Sequence, residues 1–189
     1  TYWGLVHFSF IVMAITISIA LMVCVSLDLM DELKREAVTD SLSKLSNRRG
    51  FEEDSARAIQ RSKADGTSIA LLLADLDRFK SINDLYGHGV GDEVIRDFGQ
   101  LIQSLSDSKT VAGRIGGEEF AVLLPEATRE SAQAFADNLC EQFAQRYQDN
   151  PNFTSSTPTT SIGLVIASNE VDLSRMLNQA DKALYTAKN

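Results

Sequence analysis

Apolar and polar positions along the chain fall into three regimes. In the first, residues 8–27 form an uninterrupted uncharged run, FSFIVMAITISIALMVCVSL. At 1.5 Å per residue such a helix spans about 30 Å, the thickness of a bilayer's hydrocarbon core. Trp3 and Tyr2 stand at its outer edge, where aromatic rings favour the membrane interface. A secretory signal would want a basic start and a small-residue cleavage site, and neither is clear here. A buried core helix is the other rival. Length and absence of charge favour the membrane span, so residues 1–27 are read as a transmembrane segment. Lys34 and Arg35 follow it and no Lys or Arg precedes it. The positive-inside rule then puts the remainder of the chain in the cytoplasm.

The second regime is residues 28–41, DLMDELKREAVTDS. Leu29, Leu33, Ala37 and Val38 make a narrow apolar stripe on a linker helix. Such a stripe fits a short two-chain seam or a solvated connector equally well.

The third regime alternates. Residues 47–63 have helical spacing, with Phe51, Ile59 and several alanines. Residues 68–75 are short and continuously apolar, as in a buried strand. Residues 91–105 make a strong amphipathic helix through Val94, Ile95, Phe98, Leu101, Ile102 and Leu105. Residues 110–115 and 119–124 are short strands around Gly116-Gly117, a hairpin signal. Residues 129–147 form a helix with Thr128 as its N-cap. Residues 149–158 are a loop, 159–167 a strand and 172–188 a final helix. A hairpin in the middle of this order implies an α/β sandwich with a mostly antiparallel central sheet flanked by helices. The domain is set at residues 38–189.

Composition narrows the function. The chain is 44% apolar and 23% charged, enough for one solid core and unlike a disordered chain. Its net charge is −8, and residues 1–27 contain no Asp, Glu, Lys or Arg. The domain is therefore acidic, which argues against nucleic acid as a partner. A polyphosphate ligand would need a divalent cation to neutralise it. Cys24 and Cys140 lie in apolar surroundings with no metal-ligand spacing. The chain begins with Thr rather than Met, as a fragment or processed form would.

Candidate chemistry starts where the buried strand ends, at Asp75-Leu76-Asp77. Carboxylates there cap a turn or hold a cation. Next come Asn83 and then Gly87-His88-Gly89-Val90-Gly91-Asp92. Glycine lets backbone amides approach an anion, and a helix N-terminus favours negative charge. Asn83 and Asp92 carry the donor and acceptor types that can read guanine. Gly-His-Gly is also an ordinary turn sequence, so His88 has two readings. In Gly116-Gly117-Glu118-Glu119, a turn alone needs no carboxylates. If the hairpin strand neighbours strand 68–75, Glu118 faces Asp75. Two carboxylates and a backbone carbonyl form an oxygen-only site suited to Mg²⁺, which keeps waters and takes phosphate oxygens.

Five pieces in order carry a family resemblance: Asp40 through Arg49, Asp75 through Asp92, Arg114 through Phe120, Thr159 through Gly163, and Ala180 through Lys188. In them the chain resembles the GGDEF-domain diguanylate cyclases over nearly all of residues 38–188. The resemblance implies a fold like that of nucleotidyl cyclases and polymerase palms. It implies bacterial second-messenger signalling, here from the inner membrane, in which a homodimer condenses two GTP into cyclic di-GMP and pyrophosphate. By position, Asp75, Glu118 and the Leu76 carbonyl would hold Mg²⁺, with Mn²⁺ the alternative ion. Glu118 would take the 3′-hydroxyl proton, with Glu119 competing for that role. Lys80 and the Phe79 backbone would stabilise phosphates, and Lys188 would reach the terminal one. Asn83 and Asp92 would bind guanine, with His88 in the substrate loop. Gly116 and Gly117 would let the nucleotide approach, and Asp77 would support.

Departures from the family also matter. Ser43-Lys44 stands where the family usually has Thr-Gly. Asp107 and Thr110 stand where an Arg and an Asp usually bind inhibitory product, so product inhibition at that surface is expected to be absent. A phosphate-binding Gly-Arg follows the family's equivalent of Lys188, whereas the sequence here stops at Asn189. Two rival readings are a non-catalytic GTP-binding or interaction domain and a cyclase acting within one GTP or ATP. The retained hairpin carboxylates favour catalysis, and the Asn83/Asp92 pair favours guanine.

Overall fold

The computed structural model describes residues 2–36, 38–148, 150, 153, 157–168 and 172–188. Most of the loop 149–158, Ala37 of the linker stripe and Asn189 lie outside them. The chain divides into two units, Thr1–Ala37 and Val38–Asn189. The first contains one helix, α1 (Tyr2–Glu36). Its stretch Tyr2–Met30 is long and apolar enough to cross a membrane. The helix runs unbroken through the expected membrane segment and linker, then stops before 41. Beyond it, Thr39 bridges Ser46, and Asp40 accepts from the Ser43 amide and hydroxyl, both at 2.7 Å. That side-chain capture offers the backbone a turn instead of a further helical turn.

The second unit follows as β1 (Ser46–Asn47), α2 (Arg48–Asp65), β2 (Ile69–Leu76), α3 (Phe79–Tyr86), α4 (His88–Leu105), β3 (Val111–Arg114), β4 (Glu119–Pro125), α5 (Arg129–Gln148), β5 (Thr160–Ala167) and α6 (Leu173–Lys188). The sheet order is β1-β3-β4-β2-β5. Only β1–β3 is parallel; the other pairs are antiparallel. The expected sandwich is thus observed, with a mixed five-stranded sheet and two extra short elements, β1 and α3.

Strand β2 lacks polar alternation because both its faces are covered; all eight residues are buried. Ala70, Leu72, Ala74 and Leu76 join the core built with α4 and α5. Ile69, Leu71 and Leu73 join the one built with α2 and α6. Each buried leucine contributes about 1.5–3 kcal/mol of transfer free energy. At the start of α5, the Ser131 amide donates to Thr128 Oγ1 at 3.2 Å, and the Thr128 amide donates to Ser131 Oγ at 3.0 Å. The expected cap is present.

Residues 87–91 are not a loop. α3 and α4 meet at Gly87, whose φ of +85° suits glycine, and α4 already begins at His88. Phe79 and Ile82 bury one face of α3, a stripe too short to stand out among its polar neighbours. The hairpin also differs from a mirror-image two-residue turn. Among the described glycines only Gly66 and Gly87 have positive φ, so Gly116 and Gly117 are not there for left-handed backbone. Lys44, in contrast, sits at φ +62°, the conformation a glycine would take without strain.

Gly163 on β5 marks the closest strand–helix approach. A Cβ there would run into the Ala180 carbonyl and stand 2.6 Å from the Leu184 amide of α6. Gly163→Ala is therefore expected to lower stability by about 1–3 kcal/mol, as overpacking does. Thermal melting checks this, and an unchanged midpoint would contradict the contact.

Candidate active site

The site grows from the C-terminal end of a buried strand. Asp75 is 8% exposed and lies opposite Glu119 of β4 and Ser161 of β5 in register. The Leu76 amide donates to the Glu118 carbonyl at 3.1 Å, and the Thr160 hydroxyl to the Asp75 carbonyl at 3.0 Å. The strand end is thus tied on both edges. Asp77 adds a third tie. Its Oδ2 accepts from the Thr159 hydroxyl and its Oδ1 from the Ser161 hydroxyl, both at 2.7 Å. Asp77 spends its carboxylate on β5 and acts as a positioning residue.

Lys188, at the end of α6, donates to Asp75 Oδ1 at 2.5 Å. Glu118 titrates above the ordinary carboxylate value, because of burial first and the Asp75 charge second; Lys188 opposes the rise. Asp75, Glu118, Glu119 and Lys188 thus form one electrostatic group. A cleft of about 430 Å³ opens beside it, lined by Asp75, Glu119, Asp181, Lys182, Tyr185 and Lys188 among others. Among the described residues, no three His, Cys, Asp or Glu side chains converge as a metal cluster. A cation here would have two carboxylates and main-chain oxygen as its protein ligands, with water or phosphate oxygens completing the set.

Two arginines brace the hairpin. Arg114 donates to the Gly117 carbonyl through Nη2 at 2.7 Å and Nε at 3.2 Å. Its Nη1 reaches both Asp40 oxygens at 3.3 Å. Arg48 Nε donates to the Ile115 carbonyl at 2.9 Å. The Ile115 and Gly116 amides both donate to the Glu119 carbonyl, at 2.9 and 3.2 Å. A Cβ on Gly116 would strike the Glu119 carboxylate as it is placed, so a side chain there would require Glu119 to shift. Gly117 is exposed and open to solvent. Sequence reasoning gave Arg114, Arg48 and Asp40 no role. The signal available was a charged residue at each flank of the hairpin and turn.

The second group of expected residues lies on α3 and α4. Asn83 and Asp92 are half-buried, while Lys80 and His88 are exposed. The Phe79 side chain belongs to the core, leaving only its backbone to a ligand. A Cβ on Gly91 would collide with Asn83 Oδ1 and stand 3.3 Å from Phe79 Cζ. This bare position brings Asn83 against the residue preceding Asp92.

The sequence profile described as diguanylate cyclase, GGDEF domain, matches residues 37–189. The chain belongs to the GGDEF family. It is 34% identical over 157 residues to diguanylate cyclase DgcS of Shewanella oneidensis, covering 83% of this chain and 51% of that protein. It is 35% identical over 161 residues to diguanylate cyclase VdcA of Vibrio cholerae, covering 84% and 46%. The chain thus spans about half the length of these curated relatives. Its fold is similar to the coiled coil and GGDEF domain of DgcB from Caulobacter crescentus in complex with c-di-GMP. There the TM-score is 0.81 at 27% identity, covering 89% of this chain and 90% of that one. The diguanylate cyclase SiaD of Pseudomonas aeruginosa, with its activator SiaC, gives a TM-score of 0.72 at 28% identity, covering 90% and 67%.

In this GGDEF domain the Asp40 brace has a pH signature. Burial alone would raise the Asp40 carboxyl; hydrogen bonds from Ser43 and the Arg114 charge outweigh it and hold the group below its ordinary value of 3.8. A depressed folded pKa contributes stability that is full above the unfolded value and lost as pH falls through the folded one. Asp40→Asn is expected to melt below wild type at neutral pH. That gap should close as the pH drops below about 4. Melting curves against pH check it; a gap that persists in acid would contradict the brace.

Proposed function

We propose that this chain is a diguanylate cyclase, each of two subunits presenting one GTP to the other. The observation that carries the reading is the β2–β4 register: it sets Glu119, where Glu118 was expected, directly opposite Asp75, with Glu118 one residue before it and within reach of the Asp75 charge. The half-buried Asn83 and Asp92 on the next two helices support guanine as the base. A homodimer follows from the reaction, since a single site cannot hold two nucleotides face to face. Each 3′-oxygen bonds to the other nucleotide's α-phosphorus, the bond to the β-phosphate oxygen breaks, and pyrophosphate leaves.

Asp75, Glu118 and the Leu76 carbonyl would hold Mg²⁺ or Mn²⁺. The all-oxygen donor set fits such an ion, and the Lys188 ammonium on Asp75 shows in kind what charge the carboxylate requires. The ion would supply charge neutralisation at the reacting phosphate and acidify the attacking hydroxyl. The chain's own residues do the rest. Glu118 accepts the 3′-hydroxyl proton, with Glu119 beside it as the alternative acceptor. Asn83 and Asp92 orient guanine. Lys80, the Phe79 backbone and Lys188 hold the phosphates, His88 flanks the base, and the bare Gly116-Gly117 turn leaves room for the nucleotide.

Purified protein given GTP and Mg²⁺ is expected to release pyrophosphate and cyclic di-GMP. Glu118→Ala should cut kcat by about 100-fold or more. No product from wild type, or full turnover by the variant, rejects the mechanism. Added product at low-micromolar level should leave the rate unchanged. Asp107 supports this, because its Oδ1 accepts from the Thr110 amide and hydroxyl and the Lys109 amide, and the Lys109 ammonium in the same turn is paired with Glu126.

We further propose the span 1–27 as an inner-membrane anchor, 28–41 as a linker and 38–189 as a cytoplasmic catalytic domain. Support comes from the apolar Tyr2–Met30 stretch and from Lys34 and Arg35 beyond it. The chain is expected to sediment with membranes and resist carbonate extraction; release by carbonate would refute the anchor.

A further inference from the structure

The geometry points to Lys188 as an internal counter-cation: without a divalent ion its ammonium sits on Asp75, and loading the ion releases it to the nucleotide's phosphates. This rests on the metal-site reading above and adds an exchange to it.

The placement of Lys188 is rigid up to its side chain. Ala180 and Leu184 are buried, and the bare Gly163 lets the α6 backbone lie directly on β5. Lys188 follows Leu184 by one helical turn on the same face. Its long stem then carries the ammonium to Asp75, a partner 113 residues away in sequence. The Asp75 side chain is only 12% exposed and that of Lys188 is 35%. A carboxylate so enclosed, with Glu118 beside it, requires a compensating charge.

Charge and space make the two cations alternatives. Two carboxylates and one ammonium sum to −1; two carboxylates and a divalent ion sum to zero. A metal ion bonds carboxylate oxygen at about 2.0–2.1 Å, and Asp75, which now takes the ammonium, is one of the residues that would hold it, so the two cations would compete for one carboxylate. Keeping both would place a cation against a cation. The freed lysine has three donors on a flexible four-carbon stem. It becomes available to terminal phosphates at the moment the ion arrives. Metal loading and formation of the phosphate site are thereby one event. Nucleotide without metal meets a lysine already engaged.

The test is Mn²⁺ binding without nucleotide, measured by electron paramagnetic resonance on the full chain in detergent micelles. An ammonium in hydrogen-bond contact changes a carboxylate's cation affinity by about tenfold or more. Lys188→Met is therefore expected to bind Mn²⁺ about tenfold more tightly than wild type, and Lys188→Arg no more tightly than wild type. Equal or weaker binding by Lys188→Met overturns the exchange while leaving the metal site standing. Mn²⁺ bound by neither protein overturns the metal site as well. A second measurement uses wild type alone. With lysines reductively ¹³C-methylated, the Lys188 resonance, assigned by its loss in Lys188→Arg, should move towards the solvent-exposed position on adding Mg²⁺. A resonance that stays put refutes the exchange even if the methionine variant does not fold.

Discussion

The candidate site depends on one constraint: a strand buried on both faces ends in a carboxylate. β2 has neighbours on both edges and helices on both faces. Its C-terminal end is where the strand reaches the cleft, through Asp75. Asp75 stands there at the junction of β4, β5 and α6, and each of the three supplies something. β4 and the turn before it bring Glu119 and Glu118, β5 brings hydroxyls that fix Asp75 and Asp77, and α6 brings Lys188. The sheet turns a local liability, a nearly enclosed charge, into a place where opposite charge must gather.

Around that tip, precision comes from omitted side chains. Gly163 lets α6 approach β5, and Gly91 lets α4 approach Asn83. Gly116 leaves the space that the Glu119 carboxylate fills. None of these three has positive φ; within residues 75–92 only Gly87, at the α3–α4 joint, uses glycine's conformational freedom. The arginine brace complements them, since Arg114 and Arg48 hold carbonyls of a turn that has no side chains of its own to anchor it.

Much of this was legible in sequence where the pattern is local. The continuous apolar run at 68–75 marked β2 to within a residue. The spacing of Val94, Phe98 and Leu101 marked α4, and Thr128 announced its helix. The GGDEF motifs contain Asp75, Glu118, Glu119 and Lys188, which the structure brings together. What sequence could not give were pairings across long separations. Asp75 with Lys188, and Arg114 with Asp40, are contacts made by topology and not by spacing. α3 was missed because its apolar stripe is two residues long and its neighbour is a glycine. The hairpin that Gly116-Gly117 signalled is present, but neither glycine takes the left-handed backbone that such a pair ordinarily supplies.

The Asp75–Lys188 pairing also bears on how the domain assembles during translation. β2 leaves the ribosome well before its edge partners β4 and β5, and Lys188 emerges after all of them. Pairing over such separations carries a large loop-closure cost that local helices do not share. The central strand stays without one edge until β5 is made, and the carboxylate at its tip without its partner until α6 docks. A nascent chain interrupted before α6 leaves uncovered the apolar sheet face that Met176, Ala180 and Leu184 pack against, together with an uncompensated charge. Such a chain is the kind of species that aggregates or is degraded and does not linger as a partly active enzyme.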